Sequence, residues 1–337
     1  MLSLFNRKAK PGVSQAARVP SAAEPPPADN FVRDPDALRL RDELADGRWE
    51  DAHEFLESVR DWRLRNFYVN ALARVPGRPE WIDEWIAARP NSSVPLLFCG
   101  WHRVNWAWEA RGSGRAKTVQ QDAWPVFQSR LVAADRDLVK AAALDKEDPT
   151  PLARSIWVAM GLSLGQPEVR RRFAAADARE QQNQAACYAM IQATARKWGG
   201  SHEAMFEFAR MVAREAPDGS SGHKMIALAH VERWLDLPRE ERPAYFRDDA
   251  VGREIRAAAD RSIRSAAYPS DSPTWADRNA FAFCFNLMHD WDAALAQIKL
   301  IGPRITPGPW NYQGKPGTAY VNARERARAG IAAASRR

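Results

Sequence analysis

His202 and Glu203 begin the stretch HEAMF with the first two residues of the zinc-peptidase signature HExxH. That signature works because residues i and i+4 share a helix face, so two imidazoles reach one zinc while the glutamate acts as base. Position 206 is Phe, whose ring cannot ligate, so no metal or other cofactor is expected. The neighbouring residues predict a plain helix start instead. Gly199-Gly200 reads as a turn and Ser201 as the N-cap. Glu203 sits where a carboxylate favours the positive helix end, and Met205, Phe206 and Ala209 form the buried face.

Gly161-Leu162-Ser163-Leu164-Gly165 matches the GxSxG elbow that exposes a nucleophilic serine. The elbow needs a strand before it and a parallel sheet around it. Leu152, Ile156, Met160 and Leu164 form a four-residue stripe instead, which predicts a helix packed closely at Gly161 and ended at Gly165. Gly112-Ser113-Gly114-Arg115-Ala116-Lys117 lacks the spacing of a phosphate loop and reads as a connector. Arg111, Arg115 and Lys117 remain candidates for holding an anion there. The six histidines show no ligand spacing, and Cys99, Cys187 and Cys284 form neither a zinc nor a disulfide framework. The densest aromatic-polar run is Trp101, His102, Asn105, Trp106, Trp108 and Glu109, either core or a binding surface. Asn105 shares a face with Trp101 and Trp108, and a buried amide needs partners.

These residues must be positioned by helices. Ala is abundant and the β-branched residues that strands prefer are scarce. Asp34-Pro35, Thr150-Pro151 and Ser272-Pro273 pair a capping side chain with a proline suited to the first helical turn, and Pro79, Pro167 and Pro238 read as further starts. The net charge of +7 is concentrated at the ends, +4 in residues 1–20 and +4 in 321–337, which leaves −1 for residues 21–320. A nucleic-acid reader carries its basic stripe on the folded surface; basic tails give only weak, salt-sensitive attraction. No apolar run is long enough to span a membrane, the stretch MLSLFNRKAKPG lacks the apolar core of a secretory signal, and a cytoplasmic setting is expected.

Four segments resemble one another: GRWEDAHEFLESV from Gly47, GQPEVRRRFAAAD from Gly165, GSHEAMFEFARMV from Gly200 and HDWDAALAQIKLI from His289. Each carries an acid at its fourth place, and all but the Gly165 segment a small or apolar residue at the sixth. One hairpin cannot bury its apolar face alone, so repeated hairpins stack and share a core. The phrases AWEARGSGRAKTV, AAALDKEDPTPLA, KWGGSHEAMFEFAR and ALAHVERWL are similar to those of an uncharacterised bacterial family with tetratricopeptide-like helices. The resemblance covers about residues 35–330 and implies a fold but no activity. At Leu144-Asp145-Lys146 the family's usual proline is missing, so the helix there is expected to run on.

The expectation is an all-α, right-handed α-α superhelix of degenerate tetratricopeptide-like hairpins over residues 31–320, after a disordered Ala/Pro-rich basic leader at 1–30 and before a basic helix or tail at 321–337. The function read from it is a non-catalytic scaffold holding a protein or peptide in a concave groove. The expected surface comprises Asn105, Arg111, Lys117, Arg196, Lys197 and His202. The alternatives are an enzyme or small-molecule binder with its site in the groove, and weak nucleic-acid binding through the tails.

Overall fold

The computed structural model describes residues 25–112 and 120–336. They form sixteen α-helices and short 3-10 turns, with no strand among the described residues. The first six are α1 (Pro35–Ala45), α2 (Glu50–Ser58), α3 (Trp62–Leu72), α4 (Trp81–Ala88), α5 (Val94–Arg111) and α6 (Ala123–Leu144). Next come α7 (Thr150–Gly161), α8 (Gln166–Asp177), α9 (Gln184–Thr194), α10 (His202–Glu215) and α11 (Lys224–Asp236). The chain closes with α12 (Arg242–Tyr245), α13 (Asp249–Arg261), α14 (Trp275–Met288), α15 (Trp291–Ile301) and α16 (Pro316–Ala334).

The four similar segments become α2, α8, α10 and α15. In each, the acid at the fourth place, Glu50, Glu168, Glu203 or Asp292, lies in the first turn. The sixth-place residues Ala52, Met205 and Ala294 are wholly buried. Asp34 caps α1 by accepting from Ala37 N at 2.9 Å, and Ser201 caps α10 by accepting from Ala204 N at 3.1 Å. Three expected starts differ. Thr150 is already helical, and its amide is taken by the Asp148 carboxylate at 2.7 Å. Ser272-Pro273 opens a 3-10 turn ahead of α14. Pro238 lies in the turn between α11 and α12, four residues before the next helix.

The run-on expected after Leu144 does not occur. Asp145 bends the chain by accepting from the amides of Glu147 and Asp148, as an aspartate side chain does in a turn. Arg179 then donates to the carbonyls of Ala142, Asp145 and Asp148 at 2.7–2.8 Å, satisfying the helix end. At the other expected boundary, 320/321, α16 continues without a break, and Tyr320, Ala323 and Ala327 are buried.

GxSxG is a helix terminus. Ser163 N–H reaches Met160 O and Leu164 N–H reaches Ala159 O, with Ser163 at φ +55°. This is a Schellman cap whose left-handed position is filled by serine. Ser163→Gly is therefore expected to raise the unfolding free energy by about 0.5–1 kcal/mol, measured in urea, because glycine adopts that conformation without steric cost. Gly161 sits where a Cβ would come within 2.5 Å of Leu131, so α7 approaches α6 as closely as expected from its sequence.

Consecutive helices pack together, α5 on α6, α6 on α7, α7 on α8, α10 on α11 and α14 on α15. An inner set also makes contact, α3 with α5, α5 with α7, α7 with α9, α9 with α11 and α11 with α14. The series returns to its start, since the 3-10 turn at 272–274 that leads into α14 packs on α3. Arg63 on α3 grips Asp271 through two hydrogen bonds of 2.5 and 2.7 Å. Ser272 donates to the Asp34 carboxylate at 2.5 Å, and Asp29 N–H donates to Ile305 O at 3.0 Å.

Candidate functional site

The inner helices enclose a cavity of about 500 Å³. Three helices line it with residues three or four apart: Arg63, Asn66 and Asn70 from α3, with Arg74 just beyond its end, Gln184, Tyr188 and Gln192 from α9, and Lys224, Leu228 and Glu232 from α11. Trp101 of α5, Arg154 and Trp157 of α7, and Asn311 and Tyr312 of the 306–312 segment complete the lining. This is one face of each helix, set by the 3.6-residue period.

Most charges here are matched. Arg63 pairs with Asp271, Lys224 with Asp277, and Glu232 with Lys197 at 2.7 Å while also accepting from Gln192 at 2.7 Å. Arg154 differs. It is 8% exposed and pairs with no carboxylate among the described residues. Its Nη2 donates to Asn105 Oδ1 at 2.6 Å, its guanidinium lies 4.5 Å over the Trp101 ring, and its Nε is buried without a partner. Burial, reinforced by the charge of Arg74, pulls its pKa well below the ordinary arginine value. Arg74 likewise makes no ion pair among the described residues. Its side chain is exposed and donates to the Asn70 carbonyl and side chain. Burying an unpaired cation is costly, so a fold that keeps one gains something else by it.

The cavity's phenols stay neutral. Burial, with the charge of Glu232, pushes Tyr188 up to about 12, and burial raises Tyr312 as well. Both can donate hydrogen bonds. The lining includes no His, Cys or Ser among the described residues; its threonine, Thr306, donates to Gly308 O at 2.6 Å, and its one carboxylate, Glu232, is held by Lys197 and Gln192.

The residues singled out from the sequence fall in three places. Asn105 is buried, donates to Ala73 O at 2.9 Å and holds Arg154, so it supports the cavity from behind. Lys197 reaches the cavity's edge through Glu232. Arg196 and His202 meet instead at Asp236, at 3.4 and 3.1 Å, and Arg233 also contacts the His202 ring at 3.0 Å, on the outer surface. Arg111 sits among the rings of Trp108, Trp124 and Trp198 at 5.3–5.6 Å. Arg115 and Lys117 lie outside the described residues. The aromatic run divides as well: Trp101 faces the cavity, Trp106 lies under Arg130, and Trp108 packs edge-on to Trp157 and Trp198. Arg154, Arg74, Asn66, Asn70 and Tyr188 were not singled out from the sequence.

Outside the cavity, His230 bridges Tyr245 at 2.8 Å and Glu254 at 3.1 Å, and Arg210 grips the same carboxylate at 2.7 Å. These hydrogen bonds hold Glu254 down at about 2. The cluster ties α10, α11, α12 and α13 together. Burial pushes the thiols of Cys99 and Cys187 up to about 12 and raises that of Cys284, so none is a ready nucleophile. Among the described residues no group of three or more His, Cys, Asp or Glu could hold a metal ion, and no helix is long and apolar enough to cross a membrane.

Comparison of the chain with protein-family models, with curated proteins and with solved structures returns no match.

Proposed function

We propose that this chain is a non-catalytic binding protein that takes a small anionic ligand into the cavity between its inner helices. In the same reading its hairpins form a right-handed superhelix of degenerate tetratricopeptide-like type, related to the bacterial family that carries the K-W-G-G-S phrase. The observation that carries the binding reading is Arg154, a buried cation held in place by Asn105 and Trp101 with no carboxylate opposite it. Absence of a poised base or nucleophile on the lining favours binding over turnover. The contacts between α3 and the 271–273 segment favour a small ligand over a folded partner, which needs an open groove.

The test is Arg154→Met. Removing a buried unpaired charge is expected to raise the unfolding free energy by about 1 kcal/mol, although Asn105 loses its contact. The same change is expected to abolish any rise in melting temperature that organic carboxylates, phosphates or sulfates give the full-length protein. If Arg154→Met destabilises the fold and no anion of that panel stabilises the unaltered protein, the reading fails.

A further inference from the structure

We infer that the cavity's ligand is a phosphate monoester carried on a small hydroxyl-bearing body, its phosphate lying between Arg154 and Arg74. This rests on the cavity being a binding site and goes further, to the charge and shape of what fills it. Of the cations on the lining, Arg63 and Lys224 are neutralised by Asp271 and Asp277, and the carboxylate of Glu232 by Lys197. Two positive charges are left, those of Arg154 and Arg74, and Arg74 is near enough to act on Arg154. Glu109 acts on Arg74 through space without forming an ion pair.

Two uncompensated charges fit a dianion. A phosphate monoester carries between −1.5 and −2 at about pH 7, whereas a carboxylate carries one charge. The free donors also come from two different elements. Arg154 of α7 keeps Nη1 while Nη2 serves Asn105, and Arg74, just beyond α3, keeps Nη1 while Nε and Nη2 turn to Asn70. A tetrahedral group with three terminal oxygens accepts from several sides, where a planar carboxylate prefers one flat fork.

The body of the ligand is indicated by the rest of the lining. The amides of Asn70, Gln184 and Asn311 can donate to and accept from hydroxyl groups, and the rings of Trp157, Tyr188 and Tyr312 offer flat faces to carbon-bound hydrogens.

Calorimetry on the full-length protein with glucose 6-phosphate, glucuronate, glucose and inorganic phosphate tests this, since the first three share one ring at different charge. Both phosphates are expected to bind, glucose 6-phosphate at least about tenfold more tightly than glucuronate and glucose not measurably, given the greater strength of doubly charge-assisted hydrogen bonds. Arg74→Gln, on an exposed side chain, is expected to bring glucose 6-phosphate and glucuronate to parity. Glucuronate binding as tightly as glucose 6-phosphate, in an Arg154-dependent manner, would leave an anion cavity and remove the phosphate. A phosphate preference that survives Arg74→Gln overturns the assignment too. Failure of all three charged probes removes both the assignment and the binding reading beneath it.

Discussion

Asp148→Ala is expected to cost the fold about 3–5 kcal/mol, read as a lowered urea midpoint and melting temperature. Asp148 and Arg65 are 1% and 0% exposed, and their ion pair is 2.9 Å long. The guanidinium also donates to Leu56 O at 2.8 Å, so it is fixed in place and cannot turn to solvent when its partner goes. Asp145 stands 3.6 Å from the same nitrogen and is partly exposed, and it compensates only in part. Alanine at 148 also strips the carboxylate that caps Thr150 N–H, a further cost of about 1 kcal/mol contained in that range. Arg65→Met together with Asp148→Leu removes both charges and is expected to cost less than Asp148→Ala alone. A single-variant loss below about 1 kcal/mol, or a double variant worse than the single, would show that the pair does not hold α3 to the start of α7.

The second large effect is at Gly200. A Cβ there would stand 1.9 Å from Thr194 O and 2.4 Å from its carbonyl carbon. Those are backbone atoms at the end of α9, and Thr194 is itself buried and bonded through its hydroxyl to Met190 O at 2.6 Å. Neither side can yield, so Gly200→Ala is expected to destabilise by about 3 kcal/mol. Gly199 is the internal control. It has φ +80° but open space around it, so Gly199→Ala is expected to cost only about 1 kcal/mol. Equal losses at the two positions, or the reverse order, would mean that steric closure does not explain the double glycine.

That pair of glycines shows what one sequence makes legible. The turn, the Ser201 cap and the first-turn acid could be read because all three act within a few residues of chain. The same holds for the acids and small residues of α2 and α15. Phe206 was read as buried and is only half so, because its neighbour is the His230 ring rather than a full shell of apolar groups. Asp145 misled because a missing proline was weighed above an aspartate able to satisfy two amides itself. The cavity was the least legible part. Asn105 could be read as an amide in need of partners, but those partners, Ala73 O and Arg154, lie 32 and 49 residues away. Arg154 gave no local signal, since what distinguishes it is that, among the described residues, no carboxylate from another helix reaches it. The spacing of Arg63, Asn66 and Asn70 was a usable sign, a polar line on a helix where Phe67, Val69 and Leu72 are buried.

The contacts between α3 and the 271–273 segment bear on how the molecule comes apart. A row of hairpins tied only to nearest neighbours loosens from its two ends, where the outermost unit has half the support of the rest. Here Asp34 and α3 are tied to the 271–273 segment ahead of α14, so the described helices are held across the series as well as along it. Shortening the chain at one end would therefore weaken the other: without α1 and its Asp34, Ser272 loses the carboxylate it donates to, although 238 residues separate them. The helices behave less like a row that can be trimmed than like a hoop that holds only while whole.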